Sequence, residues 1–217
     1  MNRTLIVFAK EPVNGTVKTR LRNCFSDNDL IRLYKAFIKD TLAVANDIRN
    51  ARKILAFSSR TAPRFLKSVA GGFEMIEQKG RTLGDRIHNA FLYAKNNKAE
   101  KIVIIGSDSP TLAHDVIQRA FRKLDSCDIV LGPAADGGYY LVGMRESHRA
   151  LFKGIKWSCR SVLDNTLTRA KQLGKKIAQL NSWYDVDDCD SLARLRCDLI
   201  REKNKDTAKY TRRFLKI

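Results

Sequence analysis

Four short segments of the chain combine charged side chains with glycine or proline in patterns that suit phosphate or metal binding. The first, at 10–21, reads KEPVNGTVKTRL. Its Asn-Gly pair at 14–15 predicts a turn at which backbone N–H groups can approach a phosphate closely. The cations Lys10, Lys18 and Arg20 could balance a polyphosphate, which an arginine can bind through two hydrogen bonds. The Walker A and G-x-G-x-x-G patterns are both missing here, so an ordinary basic surface loop is the alternative.

The second segment, GSDSPT at 106–111, contains Asp108 directly after an apolar run. A carboxylate at the end of a buried strand is desolvated unless a positive charge compensates it. A divalent cation that bridges to a diphosphate would be such a partner. Alternatively, Asp108 or Ser109 caps a helix that starts near Ala113, with Pro110 in its first turn. The sequence leaves both interpretations open.

A second acidic segment, WYDVDD at 183–188, lies near the C-terminus. Asp185 and Asp187 alternate, so on an extended backbone both side chains point the same way, which suits a shared cation. The alternative is that Asp187 or Asp188 caps a helix ahead of Leu192. An acidic cluster in such a basic chain favours the metal site.

The remaining segment, ADGGYYLVG at 135–143, has two adjacent glycines. Asp136-Gly137-Gly138 is typical of a hairpin turn. Two glycines also leave room for a ligand to lie against the backbone. Taken alone, the segment favours the turn.

The elements that must position these segments form a β-α-β alternation. Nearly continuous apolar runs predict buried strands at 5–8, 54–57, 102–105 and 129–131, with further strands at 73–76 and 139–142. Helical periodicity predicts helices at 29–48, 83–94, 113–124, 161–173 and 191–200. The alternation predicts a three-layer αβα fold with an open, mostly parallel, Rossmann-like sheet, and 217 residues predict one domain, 1–217. Ligands bind such sheets outside the carboxyl ends of the strands, where these segments lie.

Taken together and in order, the motifs resemble a GT-A-like glycosyltransferase family that has been listed as a domain of unknown function. The resemblance runs from about residue 5 to residue 192. Its motifs are FAK-x-P-x-x-G-x-VKTRL at 8–21, LGDR at 83–86, IGSDSP at 105–110, ADGGYY at 135–140, WS at 157–158 and DVD at 185–187. The first loop is also similar to that of phospholactate guanylyltransferases, and the whole plan to molybdenum-cofactor guanylyltransferases.

The resemblance implies the GT-A nucleotide-diphospho-sugar transferase fold and a metal-dependent transferase acting on a nucleotide or nucleotide-diphospho-sugar. Two reactions fit. The cationic first loop favours nucleotidyl transfer with a pyrophosphate leaving group, whereas the family name favours glycosyl transfer. The Asp-x-Asp motif usual in glycosyltransferases is replaced here by Asp108-Ser109-Pro110.

The resemblance also implies roles for individual residues. The residues expected at the nucleotide and its phosphates are Ala9, Lys10, Gly15, Lys18, Thr19, Arg20, Gly84 and Arg86. Lys18, Arg20 and Asp108 are the candidate catalytic residues. The residues expected to bind Mg²⁺ or Mn²⁺ are Asp108, Asp185 and Asp187. The residues expected around a small acceptor, whose identity the sequence does not reveal, are Asp136, Gly137, Gly138, Tyr139 and Trp157.

The net charge of +18 allows a different class of function. A basic protein attracts any polyanion, so the alternative is a nucleic-acid-binding protein without catalytic activity. However, the basic residues are spread along the chain, and acids interrupt the densest stretch, at 194–216, as in an amphipathic surface helix. Nucleic-acid binding also leaves the acidic segments unexplained, so we do not expect nucleic acid as the partner.

Cysteine usage and hydropathy predict the compartment. The five cysteines are scattered without a C-x-x-C pair, so we expect neither a disulfide framework nor a zinc site. No apolar run approaches the roughly 20 residues needed to span a bilayer. The N-terminal segment lacks the pattern of a secretory signal. We therefore expect a cytoplasmic protein without membrane insertion.

Overall fold

A seven-stranded sheet forms the centre of the computed structural model, which describes residues 2–59, 61–157 and 159–217. The strands are β1 (Arg3–Lys10), β2 (Ala51–Ser58), β3 (Glu74–Glu77), β4 (Lys101–Ile105), β5 (Ile129–Pro133), β6 (Tyr139–Met144) and β7 (Ile177–Gln179). Their order across the sheet is β3-β2-β1-β4-β6-β5-β7. The helices are α1 (Asp27–Asn46), α2 (Arg64–Val69), α3 (Leu83–Asn96), α4 (His114–Lys123), α5 (Arg149–Phe152), α6 (Val162–Gln172), α7 (Cys189–Arg201) and α8 (Lys209–Leu215), and a short 3₁₀ helix covers Thr19–Leu21.

The sheet is parallel except at β6. Strand β1 pairs in parallel with β2 and β4, β2 with β3, and β5 with β7. Strand β6 is antiparallel to both β4 and β5 because it follows β5 through a tight hairpin. The mostly parallel sheet predicted from the sequence is confirmed, and the hairpin interpretation of Asp136–Gly138 is correct.

Helices cover both faces of the sheet, as a three-layer αβα fold requires. Successive strand residues point to opposite faces. Leu5 and Val7 of β1 join a buried cluster with residues of α1, α4, α7 and α8. Ile6 joins the cluster on the other face, with residues of α3, α5 and α6. The continuous apolar runs in the sequence therefore reflect strands that are buried on both sides.

The basic C-terminal stretch differs from the prediction of one solvated amphipathic helix. It forms two helices, α7 and α8, separated by residues 202–208. Arg212 is buried, and its guanidinium donates hydrogen bonds to the carbonyl oxygens of Thr207 and Glu202. Helix α8 is fixed to α1 because the buried carboxylate of Asp40 accepts hydrogen bonds from the amides of Tyr210 and Thr211. Part of the basic stretch is thus structural.

The sequence predicted no disulfide framework, and the structure has one disulfide that the sequence did not predict. Cys24 and Cys189 form a disulfide, with their Cα atoms 6.3 Å apart. They are 165 residues apart in sequence, and spacing gives no signal for a pair of this kind. They meet because the loop after β1 and the start of α7 lie side by side. Among the described residues, no helix is both long and apolar enough to cross a membrane.

Candidate active site

A cleft of about 540 Å³ lies at the edge of the sheet where β1 and β4 end. Lys10 closes β1, and Gly106 to Asp108 follow β4. Because β6 is antiparallel, it begins at this same edge, and Tyr139 and Tyr140 form part of the cleft wall. All four segments singled out in the sequence therefore line one cavity, the acidic segment at 183–188 through Asp185 and Asp187.

Lys18 lies at the centre of the charged part of this cleft. Its Nζ atom is 2.5 Å from Asp108 Oδ1 and 2.9 Å from Asp187 Oδ1, and it donates a further hydrogen bond of 2.8 Å to the carbonyl oxygen of Val186. The Lys18 side chain is only 2% exposed, whereas the side chains of Asp108 and Asp187 are 40% and 46% exposed. The charge that compensates Asp108 in this structure is thus an ammonium group of the chain itself.

The local electrostatics follow from this pairing. Burial by itself would lower the pKa of Lys18, but the carboxylates of Asp108 and Asp187 outweigh burial and raise the pKa above the ordinary lysine value. Burial, followed by the negative charge of Asp108, raises the pKa of Asp185 to about 7. Lys18 is therefore firmly protonated, and Asp185 can hold a proton near neutral pH.

The acidic segment divides its aspartates between two roles. Asp188 is the N-cap of α7, where it forms a capping box with Ser191. Asp185 faces the cleft and accepts a 2.5 Å hydrogen bond from Ser109 Oγ. A backbone hydrogen bond from Val186 N to Asp108 O joins the two acidic segments. Helix capping thus involves Asp188 and leaves Asp185 and Asp187 for the cleft.

Asp108 and Ser109 do not act as helix caps. The N-cap of α4 is Ala113, and no side chain caps the helix there. The capping alternative for Asp108 is therefore removed.

Two cleft residues had no signal in the sequence. Tyr34, on α1, accepts a hydrogen bond from the backbone N–H of Lys10 and shares a second with Ser107 Oγ. Gln78, after β3, donates from Nε2 to the carbonyl oxygens of Ala9 and Ala56. Tyr34 looks like an ordinary core residue of an amphipathic helix, and Gln78 lies in a segment without any motif.

The β5–β6 hairpin and the segment around Trp157 form the far wall of the cleft. Asp136 Oδ1 accepts a hydrogen bond from Gly138 N, which fixes the turn. The rings of Tyr139 and Trp157 meet edge to face with their centroids 6.2 Å apart. This wall is aromatic and carries little charge, in contrast to the charged end at Lys18.

The structure does not bring every predicted site residue into the cleft. Ala9, Lys10, Lys18, Arg86, Asp108, Asp136, Gly138, Tyr139, Trp157, Asp185 and Asp187 line it. Gly15, Thr19, Arg20, Gly84 and Gly137 lie outside this lining. Thr19 and Arg20 are exposed on the 3₁₀ helix, and Gly84 lets α3 pack closely against the Trp157 ring.

The donor set at the charged end of the cleft suits a divalent cation. Magnesium is usually held by one or two carboxylates together with water and substrate phosphates. The half-exposed carboxylates of Asp108 and Asp187 fit that description. With Asp185 ionised as well, the three carboxylates and Lys18 together carry a net charge of −2. Among the described residues no three His, Cys, Asp or Glu side chains are spaced to hold an ion unaided, so a metal here would need further oxygen ligands.

Comparison with known proteins identifies the family. Residues 41–159, more than half of the chain, match the family described as uncharacterized protein conserved in bacteria (DUF2064). The chain belongs to this family. The resemblance seen in the sequence motifs is thereby confirmed. None of the curated proteins matches the chain.

Solved structures share the fold. One is a protein from Desulfovibrio desulfuricans G20, whose designation as a nucleotide-diphospho-sugar transferase is itself an inference. Its sequence is 28% identical to this chain, and the two structures superpose with a TM-score of 0.91 over 100% of this chain and 95% of the other. The inositol-1-phosphate CTP transferase from T. maritima is 17% identical, with a TM-score of 0.55 over 98% and 96% of the two chains. CMP:2-keto-3-deoxy-manno-octonic acid synthetase, solved with CTP, is 12% identical, with a TM-score of 0.51 over 93% and 99%. The chain thus has the nucleotide-diphospho-sugar transferase fold that was predicted.

Proposed function

We propose that this protein is a metal-dependent transferase that binds a nucleotide or a nucleotide-diphospho-sugar in the cleft at the ends of β1 and β4. One observation carries the proposal. The cation of the first loop, Lys18, and the carboxylates of Asp108, Asp185 and Asp187 converge in one cavity, although they are up to 169 residues apart in sequence. A site that gathers both signs of charge around an open volume suits a phosphate–metal pair better than a polyanion surface of one sign.

The chain's own residues would divide the work along the cleft. Lys10 and Arg86 provide cations for the phosphates, and the Tyr34 and Gln78 hydrogen bonds fix the strand ends beneath them. Asp108 and Asp187 would hold Mg²⁺ or Mn²⁺, which when bound supplies charge neutralisation for the phosphates. The hairpin wall with Tyr139 and Trp157 would then face the acceptor.

The reaction is either nucleotidyl or glycosyl transfer. Both depend on positioned phosphates and on neutralised charge rather than on a covalent nucleophile. The designation of the Desulfovibrio protein favours a nucleotide-diphospho-sugar as donor. The cationic first loop favours a nucleoside triphosphate, whose pyrophosphate would leave past Lys10. The two reactions are separated by their products, a nucleoside diphosphate or pyrophosphate.

A thermal-shift screen tests the proposal. Nucleoside triphosphates and nucleotide-diphospho-sugars are each added with Mg²⁺, with Mn²⁺ and with EDTA. A ligand at 100 times its Kd stabilises the folded protein by about 2.7 kcal/mol, which for a chain of this size raises Tm by roughly 5–10 °C. We expect a shift of this order for one ligand class, and only with metal. No shift with any nucleotide in either metal would contradict the proposal.

A further inference from the structure

The ammonium group of Lys18 occupies the position between Asp108 and Asp187 that a bound cation would take. It uses its three N–H donors on Asp108, Asp187 and the Val186 carbonyl oxygen, so none is left for a phosphate. Lys18 as it stands cannot bind a substrate phosphate. A divalent cation on the same two carboxylates would lie against an ammonium group of like charge, which is strongly unfavourable at such distances.

We propose that Lys18 is an internal cation that holds the acidic cluster in a metal-free form, and that Lys18 and a divalent cation exclude each other at Asp108 and Asp187. When the metal enters, the Lys18 ammonium moves into the cleft, where it becomes available to a phosphate. The phosphate half of this exchange rests on the proposed function, whereas the competition between Lys18 and metal does not.

Lys18 is bordered by two aromatic rings and by two segments that a disulfide links. Its Nζ atom lies 5.8 Å from the centroid of the Tyr34 ring and 5.2 Å from that of the Phe37 ring, so aromatic faces that favour a cation border the position. The backbone of Lys18 is left-handed, with φ of 51°, at the junction of the loop and the 3₁₀ helix. The Cys24–Cys189 disulfide ties the segments on either side of the cluster together, so a side-chain movement need not separate them.

Replacing Lys18 should have an effect on metal affinity that is unusual for a cationic residue of a phosphate site. Removing a lysine that only binds phosphate leaves the affinity of the free protein for metal unchanged. Removing Lys18 should instead raise that affinity, because the carboxylates lose their competing cation. The same change should weaken nucleotide binding.

The variant Lys18→Met tests this, since methionine keeps the apolar stem beside Tyr34 and Phe37. Mn²⁺ is titrated into the nucleotide-free protein and followed by calorimetry and by electron paramagnetic resonance. We expect Lys18→Met to bind Mn²⁺ at least tenfold more tightly than the wild type. Lys205→Met, which removes an exposed cation outside the cleft lining, should match the wild type. A Mn²⁺ affinity of Lys18→Met equal to or weaker than that of the wild type overturns the proposal.

A measurement on the wild-type protein covers the case in which Lys18→Met does not fold. Lysines are acetylated briefly without metal, with Mn²⁺, and with Mn²⁺ plus nucleotide, and each site is quantified by mass spectrometry. We expect Mn²⁺ to raise modification of Lys18 several-fold relative to exposed lysines such as Lys205. If Lys18 is acetylated no faster at saturating Mn²⁺ than without metal, the proposal is wrong. If nucleotides fail to bind but Mn²⁺ still exposes Lys18, the exchange stands and the proposed substrate class falls.

Discussion

Among single residues, Tyr34 connects the two strands that carry the charged segments of the cleft. Its hydroxyl lies between the backbone N–H of Lys10, at the end of β1, and Ser107 Oγ, directly before Asp108. Burial is the main reason that the pKa of Tyr34 is raised to about 12, so the hydroxyl stays protonated. The residue positions the site without offering a charge of its own.

Replacing Tyr34 with phenylalanine should therefore weaken the protein and its ligand binding together. The change leaves the part-buried N–H of Lys10 without its acceptor, which costs up to about 1–3 kcal/mol, the figure for a fully buried donor. We expect a loss of this size in the free energy of unfolding measured in urea, and weaker nucleotide binding by calorimetry. Tyr210→Phe is the matched control, because Tyr210 is 37% exposed and should show neither effect. Equal behaviour of the two variants would contradict the role given to Tyr34.

The sequence predicted the acidic residues of the site better than their partners. Asp185 and Asp187 alternate on an extended segment, and Asp108 follows a buried strand, and all three line the cleft. The pairing of Lys18 with Asp108 and Asp187 depends on how a loop from one end of the chain folds over a segment from the other. Local spacing carries no information about such a contact.

Among the elements, the β5–β6 hairpin shapes the aromatic wall of the cleft, and Gly137 makes the turn possible. Its φ is 90°, and a Cβ atom placed there would lie 2.1 Å from the carbonyl oxygen of Arg160. Because that neighbour is backbone, it cannot turn aside as a side chain could. The turn must therefore shift if any other residue occupies position 137.

We expect Gly137→Ala to lower the free energy of unfolding by at least about 3 kcal/mol, since the steric clash adds to the 1–2 kcal/mol of a left-handed alanine. Gly174→Ala is the control, because Gly174 also has a positive φ, of 62°, but nothing within 4 Å of its Cβ position. Gly174→Ala should lower the free energy of unfolding only by the cost of the left-handed backbone, about 1–2 kcal/mol. Denaturation in urea measures both variants. Similar losses at the two positions would show that the contact with Arg160 does not constrain the hairpin.

The attachment of α8 to α1 depends on Asp40. Burial raises the pKa of this carboxyl group, although hydrogen bonds from Thr211 and Tyr210 oppose the shift. With a higher pKa than in the unfolded chain, the folded protein binds more protons at pH values just above the unfolded aspartate pKa of about 3.9. The contribution of Asp40 to stability therefore falls as pH rises through this window.

Replacing Asp40 with asparagine removes this titration and one of the accepted hydrogen bonds. We expect a loss of about 1–3 kcal/mol in unfolding free energy. The difference from the wild type should be larger at pH 5 than at pH 8 in urea denaturation. Asp206→Asn, at an exposed aspartate before α8, should show little difference at either pH. A difference for Asp40→Asn that shrinks on acidification would mean that the sign of the pKa shift is wrong.

Element prediction from the sequence succeeded where the pattern was long. Helices such as α1 and α3 were predicted to within a few residues because each repeats its apolar face several times. Strand β7 has three residues and α5 has four, which is too short for any period to appear. The antiparallel direction of β6 could be inferred only from the turn before it.

For the molecule as a whole, the net charge of +18 is the feature that competes with the transferase interpretation. The residues of the C-terminal region from 188 onward lie outside the cleft lining. Exposed cations there, such as Lys205, Lys209 and Arg213, form a solvated face. At 0.1 M salt, charges separated by more than about 10 Å are largely screened from each other.

Neutralising Lys205, Lys209 and Arg213 to alanine should therefore change nucleotide affinity by less than about twofold. Arg86→Ala, which removes a cation from the cleft, should cost roughly tenfold or more, since a charge-assisted hydrogen bond contributes about 1.5–3 kcal/mol. Both variants are titrated with a mononucleotide and with an oligonucleotide at two salt concentrations. A dominant C-terminal effect, with a flattened salt dependence for the oligonucleotide, would favour nucleic-acid binding instead.

In the proposed function, one cleft binds nucleotide and metal together through Asp108. Calorimetric titration of nucleotide into wild-type protein and Asp108→Asn, each with Mg²⁺ and with EDTA, tests it most directly. Asparagine keeps the shape and removes the charge, and Lys18 keeps Asp187 and the Val186 carbonyl oxygen as partners, so folding should be largely preserved. We predict tight binding only for the wild type with Mg²⁺, and at least tenfold weaker binding in the other three titrations. Equal affinity in all four would contradict the claim.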